Sequence, residues 1–226
     1  MKKLFSWILL FFMMATPLWS KYFYAQGPKD KKAIAFTFDD GPGKWTIPIL
    51  DILDKEGVKA TFFMNGDQVA IRPKIAQAVK ERGHEIGDHT YSHINFYAYE
   101  KKFGLEETKE KISEEIQKSK LIIESTIKSK LTICRMPHGY NRSWMEEIAK
   151  KFNTTFINWT FGEDWHKIPQ DQMIKDYTKA IHPGAILLFH DGGKNRKKTL
   201  DSLPPIIQAA QKKGYTIVPV SELINP

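Results

Sequence analysis

Residues 33–42 read Ala-Ile-Ala-Phe-Thr-Phe-Asp-Asp-Gly-Pro, a β-prone apolar run ending on two adjacent carboxylates and a Gly-Pro break. Ala33 to Asp39 predicts a strand buried on both faces, the kind that parallel sheets use. Neighbouring side chains on a strand point to opposite faces. Asp39 and Asp40 therefore share one site only if the backbone leaves extended geometry there, and Gly41-Pro42 supplies such a break.

Outward from this stretch the chain alternates between strand-like and helix-period segments. Ile47, Leu50 and Leu53 mark a helix face that stops at Gly57, and Lys59–Met64 is a second strand. Ile71, Ile75 and Val79 form the next apolar stripe, ended by Gly83, and His84–Gly87 is a short strand. Leu105, Ile112, Ile116, Ile123 and Ile127 lie along one side of a long charged helix, whose Lys and Glu residues around 106–128 read as a solvated face. Leu131–Met136, Thr154–Phe161, Ala185–His190 and Tyr215–Val220 are further strands. Helices centred on Ile148, Tyr177 and Ile206 separate them. Some seven strands alternating with helices predict an α/β fold, a closed or nearly closed barrel of parallel strands covered by helices. Such barrels place their chemistry at the C-terminal strand ends, where Asp39, Asp40, Arg135, Asp164 and His190 all fall.

The 226 residues suit one well-buried domain, and 42% hydrophobic with 12% aromatic residues excludes disorder. Lys2 and Lys3 precede an apolar run from Leu4 to Trp19, which reads as a secretory signal over residues 1–20 or as an uncleaved N-terminal anchor. The chain is exported on either reading. Residues 21–31 form a short lead-in, and 32–226 the catalytic domain. Cys134 is the only cysteine, so no intrachain disulfide forms and the fold rests on its core. The formal charge of +8 falls to +6 once Lys2 and Lys3 leave. That excess fits a solvated basic surface or attraction to an anionic polymer such as a carboxylate-bearing cell wall. No nucleic-acid recognition motif is present.

His89-Thr90-Tyr91-Ser92-His93 places two imidazoles four residues apart, on one face if the segment is helical. With a paired carboxylate nearby they form a two-histidine, one-carboxylate set that leaves coordination positions open for water and substrate. Asp40 is assigned as the ligand and Asp39 as the base. In Arg135-Met136-Pro137-His138-Gly139, the arginine can hold the basic carboxylate through its fork. Pro137 has no N–H, so the His138 amide is the first donor available to a developing oxyanion. His190, ending an apolar strand, is the candidate general acid, with Asp164 to orient it. Leu188 offers a small pocket to a methyl group, Trp165 a groove wall for a sugar ring, and His138-Gly139 further groove lining. His84, His166 and His182 lack metal-spaced partners and read as structural or surface residues. Trp45 either lines the groove or covers the barrel end.

From about Lys32 onward these motifs resemble the polysaccharide deacetylases with a NodB-type domain, carbohydrate esterase family 4. Thr-Phe-Asp-Asp-Gly-Pro at 37–42 and His-Thr-Tyr-Ser-His at 89–93 are the most specific, with Ala60–Phe63 and Gly83–Gly87 as connecting segments. The resemblance implies a distorted (β/α) barrel and hydrolytic removal of N-acetyl groups from N-acetylglucosamine units. It further implies Asp39 as base, a divalent metal on Asp40, His89 and His93, and His190 as acid. By the same likeness Arg135 positions Asp39, Asp164 tunes His190, and Leu188 receives the acetyl methyl. Zinc suits the donor set best, and cobalt, manganese, iron or nickel fit the same geometry. Peptidoglycan is the first substrate expectation, ahead of chitin oligomers and exopolysaccharides. Ester deacetylation, hydrolysis of a small cyclic amide and a non-catalytic sugar-binding role stay open. Two departures stand out: His138 replaces the family's usual Tyr or Phe, and the fourth motif has Gly162, where an extra aspartate often follows the tryptophan, here Trp159.

Overall fold

The computed structural model of the protein describes residues 22–225. The expected N-terminal signal or anchor lies outside the described residues. Among those residues no helix is long and apolar enough to cross a membrane.

Among the described residues eight strands form one sheet: β1 Phe23–Tyr24, β2 Ala33–Gly41, β3 Thr61–Met64, β4 Glu85–Asp88, β5 Ile133–Cys134, β6 Thr155–Ile157, β7 Ile186–His190 and β8 Thr216–Ile217. All pairings are parallel, in the order β1-β6-β5-β4-β3-β2-β7, with β8 paired to the start of β2. The chain beyond β6 then lies beside β7. The Thr160 N–H donates to the Ile186 carbonyl at 2.9 Å and the Leu188 N–H to Phe161 at 2.8 Å. That pairing closes the ring as a distorted barrel, the architecture the alternating pattern predicts. The lead-in is part of the sheet: Phe23 pairs with Phe156 and Tyr24 with Ile157.

The pleat decides what reaches the barrel interior. On β2, Ile34, Phe36 and Phe38 face the helices, where Phe38 stacks on Phe62 at 4.9 Å and on Phe189 at 5.6 Å. The alternate residues Ala35, Thr37 and Asp39 point inward. Ala35 belongs to an apolar interior layer with Phe63, Ile133, Ile157 and Ile186, which helix α9 (Val220–Ile224) plugs from below with Val220 and Leu223. Above that layer the side chains turn polar, with Thr37, Arg135 and Asp39 all buried. The inward parity of β2, β5 and β7 thus carries Asp39, Arg135 and His190 to the barrel mouth.

The helices are α1 Thr46–Lys55, α2 Gly66–Ile71, α3 Pro73–Glu81, α4 Phe96–Phe103, α5 Leu105–Ile127, α6 Met145–Phe152, α7 Gln170–Lys179, α8 Lys197–Lys212 and α9. The stripe expected through Ile71, Ile75 and Val79 is corrected. Ile71 ends α2 and is 66% exposed, while Pro73 opens a separate helix. Proline cannot donate the bond that would continue α2, and its fixed φ suits a first helical turn. The short helices α2, α4 and α9 carry no sequence periodicity long enough to announce them. Trp45 packs, partly buried, against the main core. Helix α5 is not wholly solvated: Glu115 on it is buried.

Candidate active site

The left-handed backbone at Asp40 (φ 71°) is the departure from extended geometry that two neighbouring carboxylates require. It turns Asp40 toward the side of the barrel mouth occupied by Asp39. Strand β7 locks this turn from the other side. The Asp191 and Gly192 amides donate to the Asp39 carbonyl at 3.1 and 3.3 Å. A Cβ on Gly192 would lie 1.8 Å from the Asp40 carbonyl oxygen, so only glycine fits there. The buried Asp191 carboxyl accepts from the Thr46 hydroxyl, which itself receives the Gly43 N–H at 2.8 Å. Burial, reinforced by the Asp40 and Asp39 charges, pushes Asp191 up to about 7 against that hydrogen bond.

Asp40 Oδ1 lies 3.5 Å from His89 Nε2 and 3.2 Å from His93 Nε2, and the three donor atoms fall within 4.8 Å of one another. Asp40 Oδ1 is buried without a hydrogen-bond partner among the described residues. His89 Nδ1 meets the Arg135 carbonyl at 2.6 Å, an arrangement that puts the proton on Nδ1 and leaves the Nε2 lone pair toward Asp40. An orphaned carboxylate oxygen facing two imidazole nitrogens fits a divalent cation with open coordination positions. Burial acts to raise the Asp40 carboxyl. Nearby His89, with His190 and His93 adding their charge, holds it well below the usual carboxylate range.

The histidine pair reaches this point by a route the spacing did not foresee. His89–His93 is a loop, not a helix, with Thr90 at φ 65° and His93 at φ 54°. Its neighbours hold it in shape: Asn65 Nδ2 donates to the His89 carbonyl at 2.8 Å, and Ser119 Oγ to the Thr90 carbonyl at 3.2 Å. The Ser92 N–H reaches the buried Glu115 carboxylate at 2.7 Å.

Asp39 and His190 are register partners on β2 and β7. Arg135, fully buried, donates from Nη1 to Asp39 Oδ1 at 2.8 Å and to Thr37 Oγ1 at 2.7 Å. Its remaining nitrogens reach the Ile157 and Asn158 carbonyls. That leaves Asp39 Oδ2 on the metal-site side, 3.7 Å from His89 Nε2. Asp164 accepts three hydrogen bonds, from His190 Nδ1 at 2.7 Å, the His190 N–H at 2.9 Å and Thr199 Oγ1 at 2.8 Å. Burial lowers His190, and the Asp164 hydrogen bond and charge outweigh it, so its pKa stands above the ordinary histidine value.

An open groove of about 890 Å³ joins these groups and is walled by Leu188, His138, Trp159 and Trp165. Trp165 is 45% exposed and stands edge-on to His190 at 5.3 Å. The His138 ring lies edge-on to His93 at 5.0 Å. His138 (φ 57°) and Gly139 (φ 65°) sit in a tight turn at Pro137–Gly139, where Trp159 packs on Gly139. The Gly162 departure has a packing reason: a Cβ there would meet Leu188 Cβ at 2.8 Å and its carbonyl at 3.0 Å. Asp164 nonetheless reaches His190. His166, read as structural or surface, stands on the groove rim beside Trp165.

Sequence reasoning missed Arg196. This nearly buried guanidinium donates from Nε to the Gly192 carbonyl at 2.9 Å and places Nη2 3.8 Å from Asp40 Oδ2, the carboxylate oxygen turned away from the histidines. Thr199 on Asp164 was missed likewise. Both lie in or just after a Lys-rich loop with no motif to mark them.

The polysaccharide deacetylase family profile matches residues 26–157. The chain belongs to this family, carbohydrate esterase family 4. It is 34% identical over 206 residues to a peptidoglycan-N-acetylglucosamine deacetylase of Bacillus cereus, covering 88% of this chain and 91% of that one. A chitooligosaccharide deacetylase of Bradyrhizobium is 28% identical, over 85% and 90% of the two chains. Among solved structures, the Bc1960 peptidoglycan N-acetylglucosamine deacetylase superposes with a TM-score of 0.83 at 29% identity, over 91% and 94% of the chains. A Bacillus anthracis protein described as a family 4 pseudoenzyme superposes at 0.80 with 29% identity, over 89% of this chain and 68% of that one.

Proposed function

We propose that the protein is an exported hydrolase that removes N-acetyl groups from the N-acetylglucosamine units of peptidoglycan, releasing acetate. The observation that carries the reading is the convergence on one groove of the Asp40-His89-His93 donor set, the Asp39–Arg135 pair and the His190–Asp164 pair. Likeness to peptidoglycan deacetylases supports the polymer, and the basic balance of the chain suits a carboxylate-bearing wall. The charged and apolar N-terminal run supports export.

Asp40, His89 and His93 would hold a divalent cation, zinc first, which would supply Lewis-acid polarisation of the acetamide carbonyl and activation of a water. Asp39, fixed through Oδ1 by Arg135, presents Oδ2 to take the proton of the attacking water. The His138 N–H is the donor for the oxygen that becomes negative as water adds to the carbonyl. As the carbon–nitrogen bond breaks, His190 delivers its Nε2 proton to the amine, while Asp164 on Nδ1 holds the ring. The Leu188 side chain borders the acetyl methyl and Trp165 the sugar ring.

The test is acetate release from purified peptidoglycan and from chitin oligomers, with and without a chelator. Asp39→Asn should lower release at least ~100-fold, the range expected when a general base is lost, while the protein still takes up its metal. A fully active Asp39→Asn variant would overturn the base assignment. Metal uptake by wild-type protein with no acetate from any N-acetylated sugar would point to a sugar-binding relative that has lost catalysis, as the pseudoenzyme likeness allows.

A further inference from the structure

The groove does not end at the metal-site residues. On the other side of His93 it opens into a second pocket of about 410 Å³, which shares Asp40, His93 and Gly193 with the first. The metal-site residues thus form the waist of a continuous trough, and a polymer held there would place one sugar at the waist and a neighbour in the second pocket. The two ends differ in character. The Trp165 end has an aromatic wall. The second pocket has none, and its walls are Lys44, Asn65, Asp67, Gln68 and Arg72.

Charge makes this pocket specific. Lys44, exposed on the loop after the Asp39-Asp40 turn, rests beside the Trp45 ring and makes no ion pair among the described residues. Arg72, half-buried at the end of α2, donates Nη1 to Gln68 Oε1 at 2.6 Å and has no carboxylate partner among the described residues. That amide contact fixes the guanidinium while leaving its other N–H groups uncommitted. Asp67 is the pocket's one carboxylate besides Asp40. Among the described residues its buried Oδ1 has no hydrogen-bond partner, and it pairs with neither cation. A planar guanidinium and an ammonium lining one pocket can together take a carboxylate, because the fork donates to both oxygens and the ammonium adds a point charge. A neutral N-acetylated polymer offers these two groups only uncharged acceptors, hydroxyls and acetamide oxygens.

We propose that the second pocket is a subsite for an anionic substituent on the sugar next to the one being deacetylated, a carboxylate bound by Lys44 and Arg72. The inference rests on the deacetylase reading above and deepens it. The preferred polymer is one in which N-acetylglucosamine alternates with a hexosamine bearing an ether-linked carboxylate, and the discrimination is made at the neighbouring residue rather than at the metal site.

The test uses peptide-free glycan strands with free lactyl carboxylates and the same strands with those carboxyls converted to methyl amides. The readout is the ratio of kcat/KM on the first to that on the second. Wild-type protein should show a ratio of at least ~5, since the contact from half-buried Arg72 is worth several-fold and exposed Lys44 adds a smaller share. The Lys44→Gln/Arg72→Gln double variant should bring the ratio close to one, with the change in KM. Lys130→Gln, which removes an exposed charge at the opposite end of the barrel, should leave the ratio as in wild type. A wild-type ratio near one, a ratio that survives the double substitution, or an equal fall in Lys130→Gln overturns the subsite. If wild-type protein releases acetate from neither strand, the peptidoglycan reading fails instead. The subsite is then decided by calorimetric binding of the two strands: tighter binding of the carboxylate strand that the double variant loses upholds it, and equal binding overturns it.

Discussion

At the scale of single residues, the site is a set of paired groups in which each functional atom is fixed by a partner on its far side. Arg135 holds one oxygen of Asp39, Asp164 holds Nδ1 of His190, and Arg196 lies behind the second oxygen of Asp40. The His190–Asp164 pair makes a pH prediction. An acid works while protonated, so turnover falls as pH rises through its pKa, and Asp164 sets that point above the ordinary histidine value of about 6.5. Asp164→Asn removes the raising charge. The alkaline limb of the kcat profile should therefore move to lower pH, with a loss of at least ~10-fold at pH 8. A limb that stays in place would show that another group sets it. Arg196 makes a second prediction. Its bond to the Gly192 carbonyl holds the loop packed on Asp40, so Arg196→Ala should weaken metal binding by about 10-fold in chelator competition, the low end for residues behind a ligand.

Elements explain why these residues converge. Strand parity on β2, β5 and β7 sends every second side chain inward, and the apolar lower layer gives way to a polar mouth at Asp39, Arg135 and His190. The end of β2 must then pass against the loop after β7 with no space between the backbones, which is the role of Gly192. Gly192→Ala would drive a methyl group into the Asp40 carbonyl and should cost about 3 kcal/mol, the upper range for overpacking. The loss would be read as a lowered unfolding midpoint, with weakened metal uptake because Asp40 moves. An unchanged midpoint would mean that the β2–β7 contact is looser than the structure has it.

For the molecule as a whole, stability depends on groups far from the chemistry. His84 is buried under the barrel wall, its Nδ1 accepting the Ala60 N–H at 3.2 Å and its ring edge-on to Phe62. Burial, with the charge of Lys59, lowers its pKa to about 4, against the pull of Asp54. The unfolded chain binds this proton more readily, so the contribution of His84 is fully present above about pH 6.5 and is lost as pH falls toward 4, about 3 kcal/mol in all. Asp88 and Asp191, raised by burial to about 6 and about 7, act in the opposite direction over an overlapping range. The difference between wild type and His84→Gln in metal-free urea unfolding isolates the histidine. That difference should shrink on acidification, and a constant one would refute the assignment.

By itself the sequence determined the alternation of strands and helices, and with it a parallel barrel, because buried strands and amphipathic helices carry their periodicity locally. It also singled out the Asp39-Asp40, His89/His93, Arg135 and His190 motifs, whose side chains the fold brings together, since such residue types are costly to bury without a use. Only the tertiary structure decided how the histidines meet, through a left-handed loop held by Asn65, Ser119 and Glu115 instead of a helix. It alone brought Arg196 behind Asp40 and Thr199 onto Asp164, and gave Gly162 its reason against Leu188. The physical reason is one of range. Periodicity and turn chemistry act between neighbours in the chain, whereas a buried polar group takes its partner from whatever the closed barrel sets beside it, here across separations as large as the 156 residues between Asp40 and Arg196.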